Sequence, residues 1–402
     1  MSSTTSFLPY CRQTIDAEDV AALAEAVSSS FLTTGPKIKE FEMAFGAATG
    51  ASFATACATG TAALHLSAQA LSLGPGDVVI VPSITFVATA NAVRFTGAEV
   101  KFADVDAVTG LMSVDHAREA LEGINNGKPA AIFPVYLNGQ CENPITLASF
   151  AHNHELKIVA DACHALGTKY PEGIVGDGKY ADCTCFSFHP SKMITCGEGG
   201  AVTTQDKAVH ERLQRLRNHG IQRSPEKFLN KAMGFDLDGS PNPWYYEQDE
   251  LAYNYRITDF QCALGLSQLR KLEAFVARRQ ELVARYDSLV FGLSPVVTSL
   301  GRTTDLCTGW HLYVVLIDFD VLKIDRATLM SQLAARNIGT QVHYVPLHQQ
   351  PYYQKRYGTA KLAGAETYYE RCLSLPLFPG MLNHDVDRVM ETLRDIVVAG
   401  AA

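Results

Sequence analysis

Positive charge is in short supply in this chain of 402 residues. Its 34 lysines and arginines are outnumbered by 42 aspartates and glutamates, giving a formal charge of −8. A surface built for nucleic acid or for an anionic membrane is therefore not expected, although a local cationic pocket for a phosphorylated ligand stays open. Long apolar runs are also missing. The stretch DVVIVPSITFVATANAV is interrupted by Pro82 and by polar residues, and no run reaches the roughly 20 apolar residues that cross a bilayer. The opening MSSTTSFLPYCRQTIDAEDV has no charged segment followed by an apolar one, so no signal peptide is expected and the cytoplasm is the expected location. No internal repeat is present. Cysteine is plentiful at ten, but ligand spacing is not: Cys183 and Cys185 sit two apart with no second pair following. Zinc sites use CxxC pairs or Cys/His sets. With Cys163 and Cys196 these residues read as small, reduced, buried hydrophobes, and no metal is expected; a metal-binding protein built on them is the alternative.

What is present describes a globular enzyme. Hydrophobic residues make up 47% and charged residues 19%, unlike a disordered or fibrous chain, and the length suggests two or three domains. From about residue 15 to 270, β-type runs alternate with helical stretches. The runs Val78 to Val81, Ala130 to Phe133, Lys157 to Ala160 and Cys183 to Phe186 are continuously apolar, which predicts strands covered on both faces in a mostly parallel sheet, an α/β domain. A long helix follows, with Leu269, Leu272, Val276, Val283, Tyr286 and Val290 at spacings of three and four, and Arg279 standing where an apolar residue belongs. Beyond about 291 come a strand at Leu312 to Leu316 and a helix at Arg326 to Arg336, a smaller α+β unit. The expected division is a large domain over 1–265, with the linking helix and small C-terminal domain over 266–402. The polar, aromatic segment Gln222 to Glu250 reads as a long loop, functional or mobile.

Three places bear chemistry. In CATGTAALHLSAQAL, Thr59, Gly60 and Thr61 stand before a helical run, where free N–H groups and the helix dipole favour a phosphate; an ordinary helix cap has the same look. In KIVADACHALG, Asp161 ends an apolar strand and so points into the crevice of a parallel sheet, or makes a structural hydrogen bond; His164 is close enough to share its site. In SFHPSKMITCGEGG, Lys192 follows a strand and Ser187, and is either a solvated turn residue or an amine that traps an aldehyde. Together they match pyridoxal 5′-phosphate (PLP), which has a phosphate, a ring nitrogen that a carboxylate keeps protonated, and an aldehyde.

These stretches, with PSITFVATANAV, FLTTGPKIKEFE, WYYEQDELAYNYRITDFQCALGLSQL, HYVPLHQQPYY and LPLFPGM, resemble the sugar-nucleotide aminotransferases of the DegT/DnrJ/EryC1/StrS family, fold-type-I PLP enzymes, nearly end to end. DACHALG, SFHP and the WYYE…NYR…DFQCALGLSQL run are most similar to the pseudaminic-acid branch, which aminates C4 of a UDP-linked 4-keto-6-deoxy-N-acetylhexosamine. The resemblance implies that Lys192 holds the cofactor's aldehyde and carries the proton, that Asp161 meets the pyridine nitrogen, and that His164 lies against the ring hydroxyl. It further implies that Phe86 stacks on the ring and that Gly60, Thr61, Ala62 and Ser187 cradle the phosphate. Asn254 would reach the phosphate of the other subunit's cofactor, implying a homodimer with shared sites. Thr33, His189, His343 and Tyr344 would line the sugar-nucleotide cleft, and L-glutamate would be the amino donor. One departure is that Ala58-Thr59 stands where the family more often has Asn-Ser, which puts one phosphate contact in doubt. Alternatives are the same chemistry on another nucleotide-linked keto sugar (dTDP- or GDP-4-keto-6-deoxyhexose) and a PLP-fold regulator without turnover. A dehydratase branch with histidine in place of the lysine is disfavoured by Lys192.

Overall fold

A computed structural model describes residues 6–303 and 306–401; the first five residues of the stretch read for a leader lie outside them. The large unit is built on a seven-stranded sheet in the order Phe53–Cys57, Gly200–Thr204, Cys183–Ser187, Lys157–Asp161, Lys128–Ile132, Asp77–Pro82, Glu99–Ala103. The four strands expected from apolar runs are adjacent and parallel, as is Glu99–Ala103 at the edge. Gly200–Thr204 runs antiparallel to both of its neighbours. The parallel strands therefore end on one side of the sheet, where ligands of such sheets bind, and Asp161 and Ser187 are the last residues of two of them.

Helix Gly60–Ala70 packs across this sheet with Gly60, Ala62 to Ala68 and Ala70 all buried. Small residues on several faces let it lie close to the strands, and Thr59 caps it by accepting the Ala62 N–H at 3.0 Å. The loop that carries Lys192 is a pinned excursion between two paired strands. Ser187 pairs with Gly200, Phe188 N–H donates to Gly199 O at 2.8 Å, Cys196 N–H to Phe188 O at 2.9 Å, and Lys192 N–H to His189 O at 2.8 Å.

The C-terminal unit has an antiparallel sheet of Val297–Ser299, Tyr313–Ile317 and Cys372–Leu375, covered by helices Leu272–Val290, Arg326–Ala335 and Asn383–Ala401. The start of the described chain docks here. Leu8 N–H donates to Asn337 O, Gly339 N–H to Leu8 O, and Leu377 N–H to Tyr10 O. The segment Gln222 to Glu250, expected as an open loop, is locally folded. Ile221–Gln222 pairs with Glu247–Gln248, and the Glu247 carboxylate accepts the N–H groups of Leu229 and Asn230, each at 2.7 Å. Its polarity hid this order, because backbone-to-carboxylate bonds leave no hydrophobic period.

Arg279, the interruption in the apolar stripe, is buried at 1% exposure rather than solvated. Its Nη1 donates to the carbonyls of Trp310, His311 and Leu377 at 3.3, 3.1 and 3.0 Å. Burial lowers its pKa to about 10, so it stays charged at neutral pH and ties the long helix to the segments that lead into the second strand of the small sheet and out of its third. Arg279→Ala strips three carbonyls of their donor and is expected to cost about 3 kcal/mol of stability. Urea unfolding followed by fluorescence checks this; an unchanged midpoint would mean that the carbonyls find other partners.

Candidate active site

The strand ends, the pinned loop and the C-terminal unit enclose a cavity of about 610 Å³. Of the residues expected at a site, Gly60, Thr61, Phe86, Asp161, His164, Ser187, His189, Lys192, His343 and Tyr344 all line it. Grooves elsewhere, of about 740, 760 and 620 Å³, are larger but bring together no lysine and strand-end carboxylate of this kind.

At one end of the cavity the helix Gly60–Ala70 begins. Ala63 N–H already reaches Thr59 O and Ala62 N–H is taken by Thr59 Oγ1, which leaves the N–H groups of Gly60 and Thr61 without an intrahelical acceptor. Ala62 is thus not part of the cavity wall: the Thr59 hydroxyl, the residue that departs from the family pattern, occupies its N–H. Neighbouring chain comes extremely close here. A Cβ on Gly60 would sit 2.7 Å from Ser187 Cβ, and one on Gly200 would sit 2.4 Å from Thr59 O. Only glycines allow this approach.

Asp161 is held by groups that no motif pointed to. Thr89 Oγ1 donates to Oδ2 at 2.7 Å, Thr85 and Thr89 hydroxyls share a hydrogen bond of 2.7 Å, and Cys163 N–H donates to Oδ1 at 3.2 Å. The i,i+4 threonines of PSITFVATANAV were the available signal. Phe86, the N-cap of helix Val87–Phe95, is 56% exposed and turns toward Tyr344, with centroids 6.0 Å apart.

The C-terminal unit contributes a cluster of aromatic and imidazole rings. His164 lies 4.3 Å from His311 and 6.4 Å from His343, ring to ring, with Tyr344 Oη 3.2 Å from His164 Nε2 and Ser374 Oγ 2.8 Å from His343 Nδ1. His311, in GWHLY, and Tyr10, from the docked N-terminal segment, were not expected; neither has a local pattern that marks it. Burial disfavours charge on all these rings. It holds His164 and His311 well below the ordinary histidine range, helped in both by Lys192 and His343 and in His311 also by His164 and Arg279, and takes His343 to about 3. Burial pushes the Tyr344 hydroxyl and the Cys163 thiol well above their usual ranges. Lys192 is partly open to the cavity, and burial lowers its pKa, with Cys163, Asp161 and Cys11 opposing.

Thr33 and Asn254 are not at this cavity. Thr33 is exposed and pairs with Thr258, while Asn254 is exposed and pairs with Asn218. Both lie along the outer groove of about 740 Å³ that Thr34, Asn218 and Arg256 help line.

A glycine-lined helix start with free N–H groups, a supported carboxylate and a lysine around one cavity fit the phosphate, ring nitrogen and aldehyde of PLP, and the α/β fold is that of PLP aminotransferases. Over residues 13–394 the chain matches the model of the DegT/DnrJ/EryC1/StrS aminotransferase family. It belongs to that family and is a PLP-dependent sugar aminotransferase. It is 37% identical over 394 residues to the spore coat polysaccharide biosynthesis protein SpsC of Bacillus subtilis, covering 97% of each chain. Among solved structures it is similar to PseC of Helicobacter pylori, an aminotransferase involved in the biosynthesis of pseudaminic acid, at 29% identity and TM-score 0.87, covering 98% of this chain and 100% of that one. It is also similar to Spr1654 of Streptococcus pneumoniae in its PLP form, at 27% identity and TM-score 0.85 over 98% of this chain and 100% of that one.

The neutral His343 makes stability depend on pH. Its folded pKa of about 3 lies below the ordinary 6.5, so its contribution is complete above pH 6.5 and is lost as pH falls from there toward 3. At about pH 5 that loss is roughly 2 kcal/mol. Between about pH 7.5 and about pH 5, the parent protein is expected to lose roughly that much more stability than His343→Gln, measured by denaturant unfolding at each pH. Equal losses would place the imidazole in water.

Proposed function

We propose that the protein transfers an amino group from L-glutamate to C4 of a UDP-linked 4-keto-6-deoxy-N-acetylhexosamine, in nonulosonic (pseudaminic) acid biosynthesis. The observation that carries the transfer chemistry is Lys192, partly desolvated and with a lowered pKa, in the cavity that also holds Asp161. The choice of sugar is supported by the likeness to PseC along almost the whole chain.

When bound, PLP supplies an electron sink for the pair released as the donor's Cα–H bond breaks. The residues of this chain do the rest. The N–H groups of Gly60 and Thr61 and the Ser187 hydroxyl bind the phosphate, and Asp161, steadied by Thr89 and Cys163 N–H, holds the pyridine N–H. Phe86 covers a ring face. Lys192 would hold the aldehyde carbon and, as a neutral amine favoured by its lowered pKa, would carry the proton taken from the donor's Cα. His189, His343 and Tyr344 meet the sugar nucleotide, with Tyr344 and the imidazoles offering uncharged hydrogen bonds. The division near residue 265 belongs to the same reading, with Leu272–Val290 as the linking helix.

A homodimer completes this site. A diphosphate and the carboxylates of glutamate call for cations, and among the described residues Lys192 is the only lysine or arginine on the cavity wall. Thr33, Asn254 and Arg256 lie together on the outer face. Nearby, the folded segment that ends at Asn254 exposes Trp244 at 72% and Leu251 at 84%, apolar surface that a second copy would cover.

Incubating the holoenzyme with L-glutamate and a panel of UDP-, GDP- and dTDP-linked 4-keto sugars, followed by mass spectrometry, is expected to yield an amino sugar from the UDP-linked N-acetylhexosamine. Lys192→Ala should give none and should carry no borohydride-fixed cofactor. Product from another nucleotide alone would move the substrate assignment and leave the chemistry standing. For the shared site, Asn254→Ala is expected to weaken PLP binding, and a heterodimer of Asn254→Ala with Lys192→Ala should recover one intact site. No recovery would count against sharing.

A further inference from the structure

We propose that the Asn138 amide and His311 are positioning groups for His164: the amide locks it as the neutral Nε2–H tautomer and the His311 ring holds its plane, so that Nε2–H stands as a fixed hydrogen-bond donor in the cavity. The inference rests on the PLP reading for what that donor meets, the cofactor's ring oxygen, which the family resemblance already assigns to this position, and on this chain's own geometry for the tautomer and its supports.

The Asn138 backbone N–H lies 3.4 Å from His164 Nδ1 and donates to it. A backbone amide cannot accept there, so Nδ1 must present its lone pair, and a neutral imidazole then carries its single proton on Nε2. Flipping the ring would set a carbon against the amide and leave a buried N–H without a partner.

The amide itself has no freedom to turn away. Asn138 is fully buried in the left-handed region at φ 62, and its carbonyl accepts His311 N–H at 3.0 Å. The next residue, Gly139, stands at φ 102, where a Cβ would come 2.4 Å from Gly309 O. Gly139 O accepts Thr168 Oγ1 at 2.7 Å. His311 thus holds the peptide that follows Asn138, next to the donating amide, through its own N–H, and packs its imidazole on the His164 ring at 4.3 Å.

The surroundings keep a second proton off. Lys192 faces the ring from its loop, His343 and Tyr344 from the 341–344 segment, and His311 from the small unit with the Arg279 cation behind it. Asp161, three residues before His164, has its oxygens engaged by Thr89 and Cys163 N–H. Among the described residues, Nε2–H has only the Tyr344 oxygen within reach, and both border the cavity. A donor held this way favours the ionised form of an acidic oxygen placed against it.

The test uses the PLP-loaded full chain. With 15N-labelled histidine, NMR of the holoenzyme is expected to show His164 with a protonated Nε2 and a bare Nδ1, assigned by the signals that vanish in His164→Gln. Titrating the visible absorption band, His164→Gln, which keeps an N–H donor, should follow the parent, whereas His164→Phe should raise the apparent pKa by about one unit or more. His311→Ala should shift the band in the same direction, and His311→Phe, which keeps a ring on His164, should not. A proton on Nδ1, or a His164→Phe band that titrates with the parent, overturns the proposal; the NMR measurement on the parent decides it even where a variant fails to fold. If the parent protein forms no visible band with PLP, the cofactor reading itself fails, a different and separable outcome.

Discussion

The start of the Gly60–Ala70 helix lies so close to Gly200 that Gly200 tolerates no Cβ, Ser187 sets the same limit on Gly60, and the site is arranged around these two contacts. They bring the two free N–H groups of the helix beside Ser187, whose strand also pairs with Gly200. The same pairing closes the excursion on which Lys192 sits. The free N–H groups, the Ser187 hydroxyl and the Lys192 amine are therefore placed relative to each other by backbone, which is the form of preorganisation that costs nothing at the moment of reaction.

Around this frame the electrostatics are sparse. Burial keeps His164, His311 and His343 neutral and keeps Tyr344 and Cys163 protonated. The carboxyl of Asp161 and the amine of Lys192 share this cavity, and charges in a poorly solvated site act strongly. The neutral rings serve as shape and as hydrogen-bonding groups. Arg279 stands behind them, hydrogen-bonded to three carbonyls, adding a cation that further discourages protonation of His311.

Much of this was legible in the residues themselves. The four apolar runs became four adjacent parallel strands, since burial on both faces writes a continuous apolar code. Lys192, Asp161 and the Thr59–Thr61 turn stood out because each lies at the end of an element. Phe53–Cys57, Glu99–Ala103 and Gly200–Thr204 were not anticipated: sequences such as FATAC and GAVTT are small and weakly apolar, and their strand character comes from the neighbours they pair with. The segment after Gln222 looked open because its order rests on Glu247 and backbone N–H groups. His311 and Tyr10 were invisible for a further reason, since they reach the cavity from segments distant along the chain.

By itself the sequence determined the class of fold, the family, and the ends of the strands at which a lysine and a carboxylate would stand, because these follow from local burial patterns and short motifs. Tertiary structure alone decided that Ala62 N–H is spent on Thr59, that Thr33 and Asn254 face outward, that Arg279 is buried, and that three histidines share one neutral cluster. Each of these depends on which distant backbone group comes within hydrogen-bonding distance or which surface is covered. No spacing along a single chain encodes that.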